Sequence, residues 1–148
     1  MKKIITNSAH ETIKLGEKIA SQLKGGEVLC LYGELGAGKT TLIKGIARGL
    51  GIKKIITSPT FVLMKVFQVK SQKSKVKSFV HIDCYRIDNA SAIEDIGAME
   101  YFRREDAVTV IEWPERIEKL LPKDCIKIKI KHKGEMAREI EIRGTGNG

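Results

Sequence analysis

The chain has 148 residues, of which 42% are hydrophobic and 30% charged, and its formal net charge is +9. This composition excludes an intrinsically disordered chain and is typical of a globular protein of one domain. No apolar run is long enough to span a bilayer or to form a secretory signal, so we expect a cytoplasmic protein that does not contact a membrane.

The three cysteines, Cys30, Cys84 and Cys125, each lie in an apolar stretch, and none belongs to a C-x-x-C motif. An odd number without metal-ligand spacing argues against a disulfide framework and against a cysteine-bound metal. We therefore expect three free thiols that pack as small hydrophobic side chains.

The N-terminal half predicts a helix, a strand and a second helix, with the helix as the first element of the chain. Ser8 followed by Glu11 is typical of a capping box, and the apolar residues after it recur at helical spacing until Gly25. Residues 27–32 are nearly all apolar, as in the centre of a parallel sheet. A glycine-rich turn then leads into a helix over residues 39–50.

The C-terminal half predicts further strands and short helices. After an extended stretch at residues 55–56, the expected elements are strands over 60–69 and 77–85 that pair antiparallel, a helix over 90–104 interrupted at Gly97, a buried strand over 107–111, a short helix over 114–121, and a hairpin whose strands lie on either side of Lys133, Gly134 and Glu135.

This order of elements predicts an α/β fold. We expect a three-layer P-loop NTPase sandwich with a mostly parallel central sheet and antiparallel additions that include the C-terminal hairpin. Residues 1–143 would form the single domain, and residues 144–148 a flexible tail.

The strongest motif is G-x-x-x-x-G-K-[ST], which the chain matches in full between the predicted strand and helix. Its residues are Gly33, Glu34, Leu35, Gly36, Ala37, Gly38, Lys39 and Thr40. Glycines allow successive N–H groups to point at phosphate oxygens, and the following helix adds the positive end of its dipole. Lys39 would reach the β- and γ-phosphates and the Thr40 hydroxyl would bind Mg²⁺, so the motif predicts a nucleoside triphosphate, ATP, with Mg²⁺.

Two carboxylates follow predicted strands and would lie at the same sheet edge as the P-loop. Asp83 ends an extended run and is a candidate magnesium ligand, although a residue there is as often a cap or a turn. Glu112 follows a buried strand and could polarise a water molecule, with a simple boundary residue as the alternative. A structural role is the more common one for His81 and for Trp113, and the residues themselves do not decide whether Thr60 is a nucleotide-responsive switch.

Motifs beyond the P-loop give a more specific resemblance. They are Ser8 to Thr12, Gly33 to Thr41, Ser58-Pro59-Thr60-Phe61, His81-Ile82-Asp83-Cys84-Tyr85-Arg86, Gly97 and Glu112-Trp113-Pro114. In order and spacing these segments resemble the TsaE (YjeE) family, the bacterial ATPases of the threonylcarbamoyladenosine tRNA-modification system, over nearly the whole chain.

The resemblance implies roles for individual residues. Asp83 would be the magnesium contact and Glu112 the catalytic carboxylate, and both are counted with Thr40 among the metal ligands. Thr60 would belong to a nucleotide-responsive switch, while Thr41 and Trp113 would lie near the nucleotide. The family usually has Asp where this chain has Glu34, a position that needs only its backbone amide, so we expect little effect.

The resemblance also implies partners. TsaD and TsaB would transfer the threonylcarbamoyl group to tRNA, and this subunit would bind and hydrolyse ATP to allow repeated turnover, meeting tRNA only through the complex. Two alternatives stay open on the residues alone. A small-molecule kinase is compatible with the P-loop, and a nucleotide-gated RNA-binding module with the net charge of +9 and the lysine-rich segment 70–77.

Overall fold

A computed structural model describes residues 1–53 and 63–144 of the chain. The strands are β1 (Lys2–Thr6), β2 (Val28–Tyr32), β3 (Met64–Gln68), β4 (Ser78–Asp83), β5 (Ala107–Glu112), β6 (Ile126–His132) and β7 (Arg138–Arg143). The helices are α1 (Ala9–Ser21), α2 (Lys39–Gly49), α3 (Ser91–Asp95), α4 (Ala98–Phe102) and a 3-10 helix over Pro114–Leu120. The expectations for residues 55–56, for Thr60 and for the tail beyond residue 144 concern residues outside the described part.

The described strands form one seven-stranded sheet in the order β1-β7-β6-β2-β5-β4-β3. The central strands β6, β2, β5 and β4 are parallel to one another, whereas β3 pairs antiparallel with β4 and β7 with β6. The predicted α/β fold is confirmed. The prediction of a mostly parallel sheet holds only for its centre, because β3 and the C-terminal hairpin add antiparallel pairings at both edges.

The helices cover both faces of the sheet and give the expected three layers. One hydrophobic cluster joins α1 and α2 to the sheet through side chains such as Leu42, Ile46 and Val110. A second cluster on the opposite face joins α3, α4 and the 3-10 helix to the sheet, and it contains Cys30, Cys84 and Cys125, which are all free and buried as predicted.

The first element is a strand, so the prediction that the chain begins with a helix is wrong. Residues 2–6 form β1, which pairs antiparallel with β7 and places Ile4 opposite Ile140. A strand with a single core-facing isoleucine has almost no period of its own, and its pairing partner lies at the other end of the chain. The helix that follows begins as predicted, since the Ser8 hydroxyl accepts a hydrogen bond from the amide of Glu11 at 3.1 Å.

Close packing of α1 against α2 fixes the helix that follows the P-loop. A Cβ atom at Gly45 would overlap the carbonyl oxygen of Ile13, and one at Gly16 would lie 2.5 Å from the carbonyl oxygen of Leu42. Glycine at both positions therefore lets the two backbones approach each other directly. This contact holds the N-terminus of α2 at the end of β2.

No helix in residues 1–53 and 63–144 is both long enough and apolar enough to cross a membrane.

Candidate active site

The P-loop lies between the end of β2 at Tyr32 and the start of α2 at Lys39. Gly36 and Gly38 have φ angles of 77° and 106°, in the left-handed region that favours glycine. Gly33 also has no room for a side chain, because a Cβ atom there would lie 2.9 Å from the carbonyl oxygen of Ile130. The loop thus turns tightly and directs the amide end of an 11-residue helix into the cavity above the sheet.

A cavity of about 440 Å³ opens over this helix end. Its lining consists of Leu35, Gly36, Gly38, Lys39, Thr40, Thr41, Leu63, Asp83, Tyr85, Arg86, Glu112, Trp113 and Arg138. The structure therefore brings together nine of the residues that the sequence proposed for the site, from three separate segments of the chain.

Four proposed site residues are not part of this lining. Gly33 lies at the strand end, Glu34 is exposed, and the side chain of Ala37 is buried in the core while its amide donates a hydrogen bond of 3.0 Å to the carbonyl oxygen of Glu34. These three residues shape the loop from outside the cavity. Thr60 lies outside the described residues.

Lys39 is the most unusual side chain of the cavity. It is only 5% exposed, and its Nζ atom has no hydrogen-bond acceptor among the described residues. The ammonium lies 3.8 Å from the centre of the Trp113 ring, a cation–π contact. Burial lowers the pKa of Lys39 from its ordinary value of 10.5, while the charges of Glu112 and Asp83 oppose this shift. A buried ammonium without acceptors is costly, and an anion in the cavity would satisfy it.

The two candidate carboxylates face each other at the end of neighbouring strands. Asp83 on β4 and Glu112 on β5 occupy opposite positions in the parallel pairing. Burial raises the pKa of Asp83, and the charge of Glu112 acts in the same direction, whereas a 2.9 Å hydrogen bond from the Tyr85 amide opposes them. Two carboxylates held this close favour a bound cation between them and the loop.

His81 orients Glu112, a role that the sequence did not reveal. The His81 ring is fully buried and its Nε2 atom lies 2.7 Å from Oε2 of Glu112, which is itself only 3% exposed. A carboxylate only accepts hydrogen bonds, so Nε2 donates. The available signal was the position of His81 two residues before Asp83, which puts both side chains on one face of β4.

Trp113 has a backbone conformation that side chains rarely adopt. Its φ of 57° and ψ of 48° make it the one non-glycine residue with positive φ in residues 1–53 and 63–144. Such a conformation costs about 1–3 kcal/mol and is found preferentially at functional sites. The ring contacts both the Lys39 ammonium and the Tyr85 ring, with 5.0 Å between the centroids of the two rings.

Arg138 is a further cavity residue that sequence reasoning missed. It is the first residue of β7, and its Nε atom would lie 3.3 Å from a Cβ atom on Gly38. The signal was its phase in the predicted hairpin, because Arg138 shares a strand face with Ile140 and Ile142, which turn toward the core.

The donors of the site suit a magnesium nucleotide. Within residues 1–53 and 63–144 no three His, Cys, Asp or Glu side chains are grouped to hold a metal by themselves. The cavity instead offers the Thr40 hydroxyl and two carboxylates, a partial set of hard oxygen ligands. Mg²⁺ is commonly bound by one or two protein oxygens together with water and substrate phosphates. The left-handed glycines and the unsatisfied Lys39 fit those phosphates.

Comparison with known proteins finds relatives over almost the whole chain. Residues 6–140 match the family model described as "Threonylcarbamoyl adenosine biosynthesis protein TsaE". The chain is 41% identical over 142 residues to a Bacillus subtilis protein called "tRNA threonylcarbamoyladenosine biosynthesis protein TsaE", covering 96% of this chain and 85% of that one. A protein of the same description from Aquifex aeolicus is 37% identical over 144 residues, with 96% of each chain covered.

A solved structure is also similar to this chain. The crystal structure of Bacillus subtilis YdiB superimposes with a TM-score of 0.79 at 35% identity, over 99% of this chain and 86% of that one.

Proposed function

Since the chain belongs to the TsaE family, whose members take part in tRNA threonylcarbamoyladenosine biosynthesis, we propose that it is the Mg²⁺-dependent ATPase subunit of that system. In this proposal the chain acts in the cytoplasm with TsaD and TsaB. They transfer the threonylcarbamoyl group, and this subunit binds and hydrolyses ATP to allow repeated turnover. Its contact with tRNA is made through the complex.

The observation that carries the proposal is the unsatisfied ammonium of Lys39. It lies at the N-terminus of α2, inside the cavity, with Asp83 and Glu112 near enough to affect its pKa. A triphosphate supplies acceptor oxygens for Lys39 and for the amides of a loop whose left-handed glycines leave them accessible. No smaller neutral ligand would satisfy a buried positive charge in this way.

Thr40, Asp83 and Glu112 are the residues that would hold Mg²⁺. The bound ion would neutralise part of the charge on the phosphate oxygens. Asp83 is half-buried, with one carboxylate oxygen already held by the Tyr85 amide. This hydrogen bond fixes its orientation, so the other oxygen is available at the cavity.

Glu112 is the proposed base for hydrolysis. The hydrogen bond from His81 fixes one of its oxygens, and the second can orient an attacking water and take its proton. His81 touches no reacting atom and is a positioning residue. Burial of both side chains keeps the carboxylate in one place, which favours a reaction that depends on aligning water with the γ-phosphate.

A partner can sense the nucleotide through Trp113. A phosphate that draws the Lys39 ammonium away from the indole changes the contacts of Trp113, and the ring next to it, Tyr85, is 39% exposed. The contacts from Lys39 through Trp113 to Tyr85 thus link the phosphates to the protein surface. Another protein could recognise there whether a nucleotide is bound. Thr60 remains part of the proposed switch on the strength of the family pattern.

The test is ATP hydrolysis by the purified chain with Mg²⁺, alone and with TsaD and TsaB. We expect slow hydrolysis that rises when both partners are present. Glu112→Gln should lower kcat about 10²- to 10⁴-fold and change ATP affinity far less, because glutamine keeps an oxygen that can face the metal but cannot take a proton from water. Glu118→Gln, an exposed glutamate on the 3-10 helix, is the matched control.

Equal loss of binding and hydrolysis in Glu112→Gln would contradict the role given to this residue. Hydrolysis indifferent to TsaD and TsaB, together with phosphoryl transfer from ATP to a metabolite, would favour the small-molecule kinase instead. Direct, salt-sensitive binding of tRNA by the chain alone would favour the RNA-binding module.

A further inference from the structure

Near the P-loop, the hairpin of β6 and β7 carries a cationic side chain, Arg138, which lies outside the motifs of the family resemblance. We propose that Arg138 is a phosphate-binding residue, which anchors the α- and β-phosphates of the bound nucleotide from the side opposite Asp83 and Glu112. This inference rests on the proposed function, because it assigns a residue to the same nucleotide site.

The first support for this proposal is the position of Arg138 in the sheet. Arg138 begins β7 and pairs with His132 of β6, whose neighbour toward the sheet centre is β2, the strand that enters the P-loop. The guanidinium reaches over Gly38, where an added Cβ atom would meet its Nε, Cδ and Cγ atoms at 3.3, 3.6 and 3.7 Å. Gly38 leaves this space open, and the side chain of Arg138 lines the cavity.

The hydrogen bonds of Arg138 are the second support. Its NH1 atom donates to the carbonyl oxygens of Ala137, at 2.9 Å, and Glu135, at 3.3 Å. Both acceptors belong to the turn that precedes β7, so they hold the guanidinium next to that turn. Nε and NH2 make no hydrogen bond within residues 1–53 and 63–144, which leaves donors for an anion in the cavity.

The third support for this proposal is the charge of Arg138 and of the side chains around it. In the described part of the chain no carboxylate lies within 4.0 Å of the Arg138 guanidinium, although most other strand charges on this hairpin are paired or solvent-exposed. Arginine binds phosphate through parallel N–H donors and keeps its charge at every physiological pH. A half-buried arginine without a carboxylate beside a phosphate-binding loop is therefore arranged for phosphate.

The location also decides which phosphates Arg138 would contact. P-loop amides cradle the α- and β-phosphates, and Arg138 lies against the glycine that precedes Lys39. The groups proposed for water and metal, Glu112 and Asp83, belong to β5 and β4 on the other side of β2. Arg138 should therefore stabilise bound ADP and ATP alike, and contribute little to the difference between bound ATP and the transition state.

The experiment compares nucleotide affinities of the full chain by titration calorimetry, with ADP and with ATP, in Mg²⁺ and in EDTA. Arg138→Ala should weaken both nucleotides by a similar factor, roughly 10- to 100-fold, since a charge-assisted contact is lost. The weakening should persist in EDTA, because Arg138 does not act through the metal. The loss should appear in KM far more than in kcat.

Arg143→Ala is the matched control, since it removes an exposed arginine from the other end of β7. Arg138→Lys keeps the charge without the planar pair of parallel donors and should recover part of the affinity. Thermal unfolding of every variant checks the fold. Should Arg138→Ala fail to fold, Arg138→Gln and Arg138→Lys carry the comparison.

Wild-type affinity in Arg138→Ala would overturn the inference and leave the proposed function intact. The same holds if the variant loses kcat while ADP affinity is unchanged, because that pattern belongs to a transition-state contact. Failure of the wild-type chain to bind either nucleotide would instead overturn the proposed function, and the inference with it.

Discussion

Charged side chains are largely buried on one side of the P-loop strand β2 and mostly exposed to solvent on the other. On the acidic side, β5 and β4 bring His81, Asp83 and Glu112 to the sheet edge, and His81 and Glu112 are buried. On the hairpin side, formed by β6, β7 and β1, most of the charged side chains reach solvent. Lys3 is about half-exposed, and its Nζ atom lies 4.0 Å from Oε1 of Glu139 and 3.8 Å from Oε1 of Glu141.

The difference has an energetic meaning. Exposed ion pairs contribute about 0–1 kcal/mol each because water and salt screen them, whereas a buried charge depends strongly on its few partners. Buried charges on the acidic side are thus fixed by few partners, as their proposed catalytic roles require, whereas most charges on the hairpin side are screened by solvent. Arg138 is the hairpin residue that departs from this pattern, since it turns toward the cavity.

The largest effect should come from Lys39, which lies between the two sides. Lys39→Met keeps the aliphatic stem and removes the ammonium, so ATP affinity should fall by roughly 100-fold or more. The unliganded protein should nevertheless be as stable as wild type or more stable, because an unsatisfied buried charge is gone. Urea unfolding and nucleotide titration of the same samples measure both quantities. A strongly destabilised Lys39→Met would show that the contact of the ammonium with the Trp113 ring outweighs the cost of burying the charge.

The pH dependence of that stability sharpens the comparison. The pKa of Lys39 is lower in the folded than in the unfolded chain, so the folded state releases its proton first as pH rises. The stability of the wild type should therefore rise between the lowered folded pKa and 10.5, and the advantage of Lys39→Met should shrink over the same range. A constant difference between the two proteins across this range would contradict the burial of a charged lysine.

The next effect concerns the orientation of Glu112. His81→Phe preserves an aromatic ring but removes the donor, and kcat should fall about 10- to 100-fold through misalignment of the carboxylate. ATP affinity should change little, a split that a purely structural defect would not produce. His81→Gln, which can donate to Glu112, should restore part of kcat. The exposed His132, changed to Phe, is the control on the hairpin side.

A smaller effect is expected from the raised pKa of Asp83. Because burial favours the protonated carboxyl, Asp83 should lose its charge at a higher pH than an ordinary aspartate, whose pKa is 3.8. Mg²⁺-dependent nucleotide affinity should therefore weaken as pH falls toward this window, while Asp83→Asn should show weaker affinity with a flatter pH profile. Identical pH profiles in the two proteins would argue against Asp83 as a metal ligand.

The smallest effect should be found on the exposed hairpin. Lys3→Gln removes both contacts of Lys3 with the glutamates of β7, and we expect the free energy of unfolding to change by less than about 1 kcal/mol. Unfolding in low and in high salt measures it. A loss of several kcal/mol would mean that the hairpin charges are not screened as their exposure indicates.

Most of the acidic side could be predicted from the sequence, because its signals are local. Asp83 and Glu112 each end a recognisable strand, and parallel strands bring such ends to one edge. The hydrogen bond between His81 and Glu112 was not predicted, since the spacing of His81 and Asp83 shows only that they share a face of β4, whereas the bond joins residues diagonal across the β4–β5 pair. The left-handed backbone of Trp113 likewise has no sequence signal of its own.

The hairpin side was predicted as local structure but not as a wall of the site. Alternating isoleucines identified the hairpin itself, and its turn was placed correctly, with the Lys133 amide bonded to the Ala137 carbonyl oxygen at 2.9 Å. That β6 lies next to β2, and that β1 closes the edge, are long-range pairings which periodicity does not encode. The approach of Arg138 to Gly38 follows from that order of strands.

The contact between Lys39 and Trp113 has a practical consequence. The chain contains a single tryptophan, so its intrinsic indole fluorescence arises at one place, 3.8 Å from the side chain proposed to bind phosphate. Movement of the ammonium onto a ligand changes the electric field at the ring and hence its emission. We therefore expect the emission of Trp113 to report occupancy of the cavity in real time, without a label.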